Sequence, residues 1–295
     1  MAISENQLDT WSHQGSITQS KETYATIRRA LEDVSAAYSQ KDYSMFLQGS
    51  YGNDTNIWAD SDVDVVMKLE STYQYDIDEL PENEKVQFHA KTTGATYSYT
   101  SFKSDVVAQL NLKFPGSIKI GNKAIAVKGN GTRRDADVVP AMQYRKYLSF
   151  KDLGNERYIE GICFWATDGS KIINYPKLHS ENCTTKHQMT FSRFKSTVRI
   201  FKNMRNAMID SGFLEDGIAP SYFLEGMIYN VPNDQFTSSK VDTVANVVNW
   251  LIKCDKDKLL CANEQYYLLH PTSSVTWRAE RFEKFLNAVV KFWNS

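Results

Sequence analysis

An α+β fold is predicted, with a strand-rich first part and a helical second part. Three observations predict it. Short β-branched and aromatic runs, punctuated by Gly116, Gly121, Gly129, Gly131 and Gly154, fill residues 117–167. Beyond about residue 185 the apolar spacing becomes helical, as in Phe194, Val198, Phe201, Met204 and Met208. Between residues 43 and 70, two strand-like runs flank a polar turn. Leu47-Gln48-Gly49-Ser50-Tyr51 closes the first, and Ala59-Asp60-Ser61-Asp62-Val63-Asp64-Val65-Val66 opens the second.

A chain of 295 residues suffices for one large domain or two modest ones. With 42% hydrophobic and 13% aromatic residues it can bury a full core, and 23% charged residues argue against disorder. No apolar run approaches the roughly 18 residues of a membrane helix. Met1-Ala2-Ile3-Ser4-Glu5-Asn6 lacks the charged and apolar regions of a signal peptide. Cys163, Cys183, Cys254 and Cys261 form no CxxC pair, so neither a disulfide framework nor a zinc site is expected. A cytoplasmic monomer without membrane attachment is the expectation. The formal net charge of -1 favours an enzyme acting on small molecules over a dedicated nucleic-acid binder.

Residues 1–19 read as polar and extended, with Trp11 as an anchor. Tyr24, Ile27, Leu31, Val34 and Tyr38 then repeat at helical spacing. With Ser20 as N-cap and Glu22 in the first turn, they predict a spine helix of about 19 residues. Residues 43–48 and 62–70 read as neighbouring strands joined by Gly52-Asn53-Asp54-Thr55-Asn56. Residues 71–96, polar and acidic with Pro81 and Gly94, read as a surface excursion that is in part helical. Phe102, Val106, Leu110 and Phe114 predict a helix over 97–113, followed by short strands at 117–120, 123–128, 136–147 and 158–167. Gly212 ends the helix that carries the later apolar stripe. Pro220 opens a helix over 221–229, and further helices are expected at 241–254 and 278–293.

The chemistry concentrates in the Gly-Ser and Asp-x-Asp segments. Gly49 lets the backbone approach a phosphate without a Cβ in the way. Ser50 adds a hydroxyl donor, and the N–H groups that follow can form an anion-binding nest. Side chains at i and i+2 of a strand share a face, so Asp62 and Asp64 project together, close enough to share divalent ions. Each motif alone is common in ordinary turns and surfaces; their combination is specific. Two Mg²⁺ ions roughly 4 Å apart would stabilise the attacking and leaving oxygens of a phosphoryl transfer, and such ions want oxygen ligands. A third carboxylate is therefore expected on a neighbouring strand. Arg133-Arg134-Asp135-Ala136-Asp137-Val138-Val139-Pro140 offers two. Spacing alone does not choose between Asp135 and Asp137, although Val138 and Val139 place Asp137 better inside a strand. A nearby carboxylate would also accept the proton of an attacking ribose hydroxyl.

This pattern resembles that of the DNA polymerase β-like nucleotidyltransferases. It is most similar to a bacterial cGAS/DncV-like nucleotidyltransferase of the CdnE type (clade E), the cyclic-oligonucleotide synthases of anti-phage CBASS signalling. The likeness runs nearly end to end. It includes Trp11-Ser12-His13-Gln14-Gly15, the Gly-Ser and Asp-x-Asp segments and Gln143-Tyr144-Arg145-Lys146-Tyr147. It continues through Tyr158-Ile159-Glu160-Gly161, Asn174-Tyr175-Pro176-Lys177-Leu178-His179, Phe201-Lys202-Asn203 and Ala219-Pro220-Ser221-Tyr222-Phe223-Leu224-Glu225. The resemblance implies a polymerase β-like core with a mixed β-sheet and a long N-terminal spine helix in residues 1–184. A C-terminal helical domain in 185–295 is implied to close the nucleotide pocket.

The resemblance also implies site roles. Asp137 matches the family's Ala-Asp-Val-Val and joins Asp62 and Asp64 as the third metal ligand. Lys202 is implied as a flexible triphosphate clamp, Ser221 as a hydroxyl donor to the same triphosphate, and Tyr222 as a platform stacked on a base. Without the resemblance, Lys195, Arg199 and Lys202 read as one solvated helical flank and Tyr222 as a core aromatic. The amide of Asn174 offers one donor and one acceptor and complements uracil and adenine equally well. The resemblance associates Asn at this position with pyrimidine selection and Ser with purines. The plainer role for Asn174 is shaping the turn before Pro176.

The expectation is therefore metal-dependent joining of nucleoside triphosphates, UTP and ATP, with two Mg²⁺ ions and Mn²⁺ as a substitute. The product would be cyclic UMP-AMP or cyclic di-UMP, recognised by a downstream effector. Nucleotidyl transfer to RNA or a small acceptor, or linear oligonucleotide synthesis, would use the same carboxylates. A non-catalytic nucleotide-binding module is the alternative from a different class. His13, His89, His179, His187 and His270 form no metal-spaced pair, and His179 reads as structural. Arg133 and Arg134 read as phosphate contacts or as residues solvating a loop.

Overall fold

The computed structural model describes residues 3–58 and 62–295. Met1 and Ala2 of the N-terminal stretch, and Ala59, Asp60 and Ser61 ahead of Asp62, lie outside the described residues. In chain order the elements are α1 (Glu5–Ser12), α2 (Thr18–Leu31), β1 (Tyr43–Leu47), α3 (Gly49–Gly52), β2 (Val63–Asp76), α4 (Glu82–Lys91), α5 (Tyr99–Lys113), β3 (Ile118–Ile120), β4 (Ile125–Val127), β5 (Ala136–Asp152), β6 (Asn155–Trp165), β7 (Lys171–Asn174), α6 (Pro176–Met189), α7 (Phe194–Asp210), α8 (Ser221–Tyr229), α9 (Lys240–Lys253) and α10 (Ala279–Trp293). The chain divides into two compact units. One is a sheet unit of Thr18–Gln48 and Ser61–Pro176; the other is a helical unit of Met1–Ile17, Gly49–Asp60 and Lys177–Ser295. The sequence predicts one division after residue 184, whereas these units interleave along the chain.

The sheet unit is mixed α+β. Its seven-stranded sheet runs β1-β2-β5-β4-β3, with β6 paired to β5 and β7 to β6. β2 and β5 are parallel and central; the remaining pairs are antiparallel. A parallel pair needs a crossover, and α4 and α5 lie within that connection. Val63, Val65, Val66, Met67 and Leu69 are buried along β2, which explains its near-continuous apolar run. α2 and α5 are tied where Gln109 Nε2 donates to the Ala30 carbonyl at 2.8 Å.

The spine helix is shorter than its spacing predicts. α2 spans 14 residues and Ser20 lies inside it, so Ser20 is not its N-cap. Asp33 competes with the helix by accepting from the Ser35 N–H at 2.9 Å, the local bonding that Asp offers outside helices. Val34 is left 87% exposed, while Tyr38 folds back and donates its hydroxyl to the Leu31 carbonyl at 2.9 Å. The strand β7 has no counterpart among the strands the sequence predicts, because four residues are too few to show a period.

The helical unit is built around α7. Phe194, Val198, Phe201, Met204 and Met208 are all fully buried, as their spacing predicts, and pack with Leu224 and Met227 of α8, Val247 and Leu251 of α9, and Phe282 and Phe285 of α10. Truncating one such ring, as in Phe201→Ala, costs about 3–5 kcal/mol. Residues 5–12 form a helix rather than an extended arm, capped by Ser4, whose hydroxyl accepts from the Gln7 N–H at 3.2 Å. Its Leu8 joins the α7 core and Trp11 packs against it, so Trp11 does anchor this segment. The helical pattern also begins earlier than residue 185, with Pro176 in the first turn of α6. No helix among the described residues is long and apolar enough to cross a membrane.

Candidate active site

The sheet unit presents the carboxylates. β1 ends at Leu47, and the Gln48 N–H donates to the Asp64 carbonyl at 3.0 Å. Asp64 of β2 and Asp137 of β5 are register partners in the parallel pair, so their side chains leave the sheet on the same face. Asp62 stands one residue before β2 and is exposed. The register separates the two candidates for the third carboxylate. Asp135 lies before β5 and its Oδ1 accepts from the Gly129 N–H at 2.5 Å, whereas Asp137 sits within the strand. Burial raises the pKa of Asp137, and the charges of Asp62 and then Asp135 raise it further. Such mutual repulsion among acids suits a site for a cation. Arg133 is not a solvated loop residue: it is 8% exposed, donates to the Lys128 carbonyl at 2.7 Å and lies over the Phe114 ring.

Asn174 ends β7 opposite Ile162, which in turn pairs with Gln143. Gln143 lies six positions after Asp137 on β5, so alternation puts Asn174 on the sheet face that carries Asp64 and Asp137. Its Oδ1 accepts from the Tyr175 N–H at 2.9 Å. That bond is the turn-shaping role expected before Pro176. The amide nitrogen is not used in it.

The helical unit holds the other expected residues. Gly49 has φ of 62°, a left-handed conformation that glycine adopts without strain. The stretch after Ser50 is braced throughout. The Asn53 N–H donates to the Gly49 carbonyl at 3.0 Å and the Thr55 N–H to the Ser50 carbonyl at 2.9 Å. Gly15 and Asn56 bond in both directions, Gly15 N–H to Asn56 O at 3.1 Å and Asn56 Nδ2 to Gly15 O at 3.1 Å. A Cβ on Gly15 would lie 2.6 Å from the Ile57 carbonyl group, so the N-terminal Gln14-Gly15 motif serves this turn.

The basic face of α7 is not a solvated flank. Lys195 is 5% exposed and pairs with Asp54 at 3.2 Å. Arg199 donates to the Ser12 carbonyl at 2.6 Å and the Asp54 carbonyl at 2.7 Å. Lys202 is 0% exposed, with Nζ donating to the Thr55 carbonyl at 3.0 Å. In this conformation Lys202 is a fixed brace of the turn rather than the flexible charge that the resemblance implies. The cation at Ser221 is Arg205, whose Nη1 donates to Ser221 Oγ at 3.2 Å and to the Ala219 carbonyl at 3.0 Å. Sequence reasoning misses Arg205, although its position three residues after Lys202 extends the same face.

Tyr222 has one ring face stacked on His179, centroids 4.8 Å apart and planes 22° from parallel, and its hydroxyl accepts from Asn263 Nδ2 at 3.0 Å. His179 is buried, as a structural histidine should be, and its Nε2 lies 2.7 Å from Glu225 Oε2. Glu225 also accepts from Asn53 Nδ2 at 2.8 Å and from the Thr55 hydroxyl. Burial pushes the Glu225 carboxyl up, but the bond and charge of His179, the bond from Thr55 and the charge of Lys202 together hold it below its ordinary value. His179, Cys183 and Glu225 bring potential ligand atoms within 4.8 Å of one another. The direct Nε2–Oε2 hydrogen bond and the donors on both carboxylate oxygens account for this cluster without a metal.

Residues 181–294 match the family model of the cGAS/DncV-like nucleotidyltransferase C-terminal helical domain. The cyclic UMP-AMP synthase of Rhodothermus marinus is 38% identical over 99% of this chain and 98% of its own. The cyclic nucleotide synthase CdnE01 of Staphylococcus haemolyticus is 36% identical over 100% of this chain and 99% of its own. The solved structure of the Rhodothermus marinus CdnE c-UMP-AMP synthase with Apcpp and Upnpp superposes with a TM-score of 0.89, at 38% identity, covering 99% of this chain and 97% of that one. Full-length identity of this order, on the same fold, carries one conclusion. The chain belongs to the cGAS/DncV-like nucleotidyltransferases, in the CdnE group of cyclic nucleotide synthases.

Proposed function

We propose that this enzyme joins nucleoside triphosphates into a uridine-containing cyclic dinucleotide, cyclic UMP-AMP from UTP and ATP or cyclic di-UMP from two UTP, as a signal in anti-phage defence. The observation that carries the reaction class is the pairing of Asp64 with Asp137 on one sheet face, with the Asp137 pKa held above its ordinary value by burial and by Asp62 and Asp135. Two Mg²⁺ ions held by Asp62, Asp64 and Asp137, or Mn²⁺ in their place, would neutralise the charge that builds on the α-phosphate as pyrophosphate leaves. The raised pKa of Asp137 suits it to take the proton of an attacking ribose hydroxyl. In the helical unit, Gly49, Ser50 and Ser221 would contact phosphate. Lys202 would act through the turn it braces, with Arg205 adding charge at Ser221. A base would stack on the Tyr222 face that His179 does not cover.

The uridine content rests on likeness to the Rhodothermus marinus synthase and on Asn174. With its Oδ1 engaged by Tyr175, the Asn174 amide nitrogen is the group left to donate to a base carbonyl such as those of uracil. The test is incubation with all four labelled nucleoside triphosphates and MgCl₂ or MnCl₂, followed by phosphatase treatment and mass spectrometry. A phosphatase-resistant product containing UMP is expected. Only phosphatase-sensitive linear products, or label appearing on added RNA, would overturn the reading.

A further inference from the structure

Glu225, 2% exposed on α8, receives its hydrogen bonds from two segments that the proposed nucleotide contacts depend on. Asn53 and Thr55 belong to the turn that follows Gly49-Ser50. His179 lies flat against Tyr222. The turn is held further by Lys202, which donates to the Thr55 carbonyl at 3.0 Å, and by Ser180, which donates to the Gly52 carbonyl at 3.2 Å. A buried carboxylate is a poor way to gain stability, since an apolar side chain of similar volume often serves as well or better. What three converging donors supply is geometry. The histidine is used in the same manner: one ring face for Tyr222, one nitrogen for Glu225, and a buried Nδ1 with no hydrogen-bond partner among the described residues.

We propose that Glu225 and His179 are positioning residues that lock the Gly49-Ser50 turn and the Tyr222 ring into one rigid piece, so that the phosphates and the base of a bound nucleotide are engaged in register. This rests on the reading of Ser50 and Tyr222 as nucleotide contacts. The hydrogen bond of His179, not its bulk, transmits order to the tyrosine. Phenylalanine at 179 would keep the flat face and lose only that bond.

Calorimetric binding of a non-hydrolysable UTP analogue and of UMP, with MgCl₂ and the full chain, tests the proposal. His179→Phe and Glu225→Gln, both checked for folding by thermal melting, should each weaken the analogue about tenfold, the size expected when a hydrogen bond to a charged acceptor is lost. Their double variant should lose less than the product of the two, because both break one connection. Thr55→Val, which frees only the turn, should weaken the analogue and spare UMP. A general folding defect would not separate the two ligands. Tyr222→Ala is the control for the underlying reading and should weaken both ligands. If Tyr222→Ala binds like wild type, the stacking platform is wrong. If Tyr222→Ala binds poorly while folded His179→Phe binds within about twofold of wild type, the platform stands and the positioning role is overturned. Should Glu225→Gln fail to fold, His179→Phe decides alone.

Discussion

Asp137 and Glu225 are both carboxylates drawn out of water, and their acidities move in opposite directions. Burial raises Asp137, and its charged neighbours, Asp62 and Asp135, raise it again. Burial also pushes Glu225 up, yet His179, Thr55 and Lys202 reverse the sign. The difference lies in whether the chain supplies the compensating partners. Around Glu225 it does, with donors on both oxygens, and the result is a fixed structural piece. Around Asp137 the charged groups that shift its acidity are repulsive, as expected of a site completed by a cation. A strained group at a functional position is stability given up for chemistry.

The largest effect that would break this contrast is on activity. Asp62→Ala combined with Asp64→Ala should reduce cyclic product below detection by mass spectrometry; continued synthesis would show that these carboxylates hold no essential ion. Next in size is stability. Glu225→Ala leaves His179 and its other donors buried without their acceptor and should cost about 3–5 kcal/mol in urea unfolding. Because the folded pKa of Glu225 lies below its ordinary 4.5, its contribution is complete above that value and is lost as the pH falls through the folded value. The gap between wild type and variant should therefore close in acid. A gap that stays constant to low pH would show that packing, not charge, sets the difference.

Asp137→Asn should act in the opposite sense and more weakly. Its folded pKa lies above the ordinary 3.8, so the ionised form costs stability at neutral pH, and the cost disappears once the pH falls below 3.8. Without metal, the variant should melt above wild type at pH 7 and level with it in acid. Added MgCl₂ should stabilise wild type and leave the variant unchanged. A variant that melts below wild type at neutral pH would remove the repulsion argument. The smallest expected effect is on selectivity: Asn174→Ser should raise purine incorporation several-fold in competition assays, roughly the discrimination of one hydrogen bond. An unchanged product ratio would leave Asn174 as a turn residue only.

Much of this is legible in the chain. The stripe from Phe194 to Met208 is fully buried because a five-turn amphipathic helix leaves its period in the sequence. Asp64 falls inside a strand, as its β-branched neighbours predict, whereas Asp62, expected in the same strand, stands just before it. Spacing overextends the spine helix because Val34 and Tyr38 continue the period of α2 beyond the turn at Asp33, and it carries no information about where a chain bends back. Lys202 reads as mobile because lysines seldom lie fully buried, and nothing local marks the Thr55 carbonyl as its partner.

The sequence by itself determined the residue types proposed for nucleotidyl transfer, most of the strands and helices that carry them, and, through end-to-end likeness, the family. These depend on side-chain chemistry and on spacings of a few residues. The tertiary structure decided which acid stands opposite Asp64, which cation lies at Ser221, and which donors surround a buried glutamate. Register between β2 and β5 sets the first. Contacts beyond the reach of local spacing set the others, over 16 positions between Arg205 and Ser221 and over 172 between Asn53 and Glu225. Such pairs have no local signature, because packing alone brings their atoms within bonding distance.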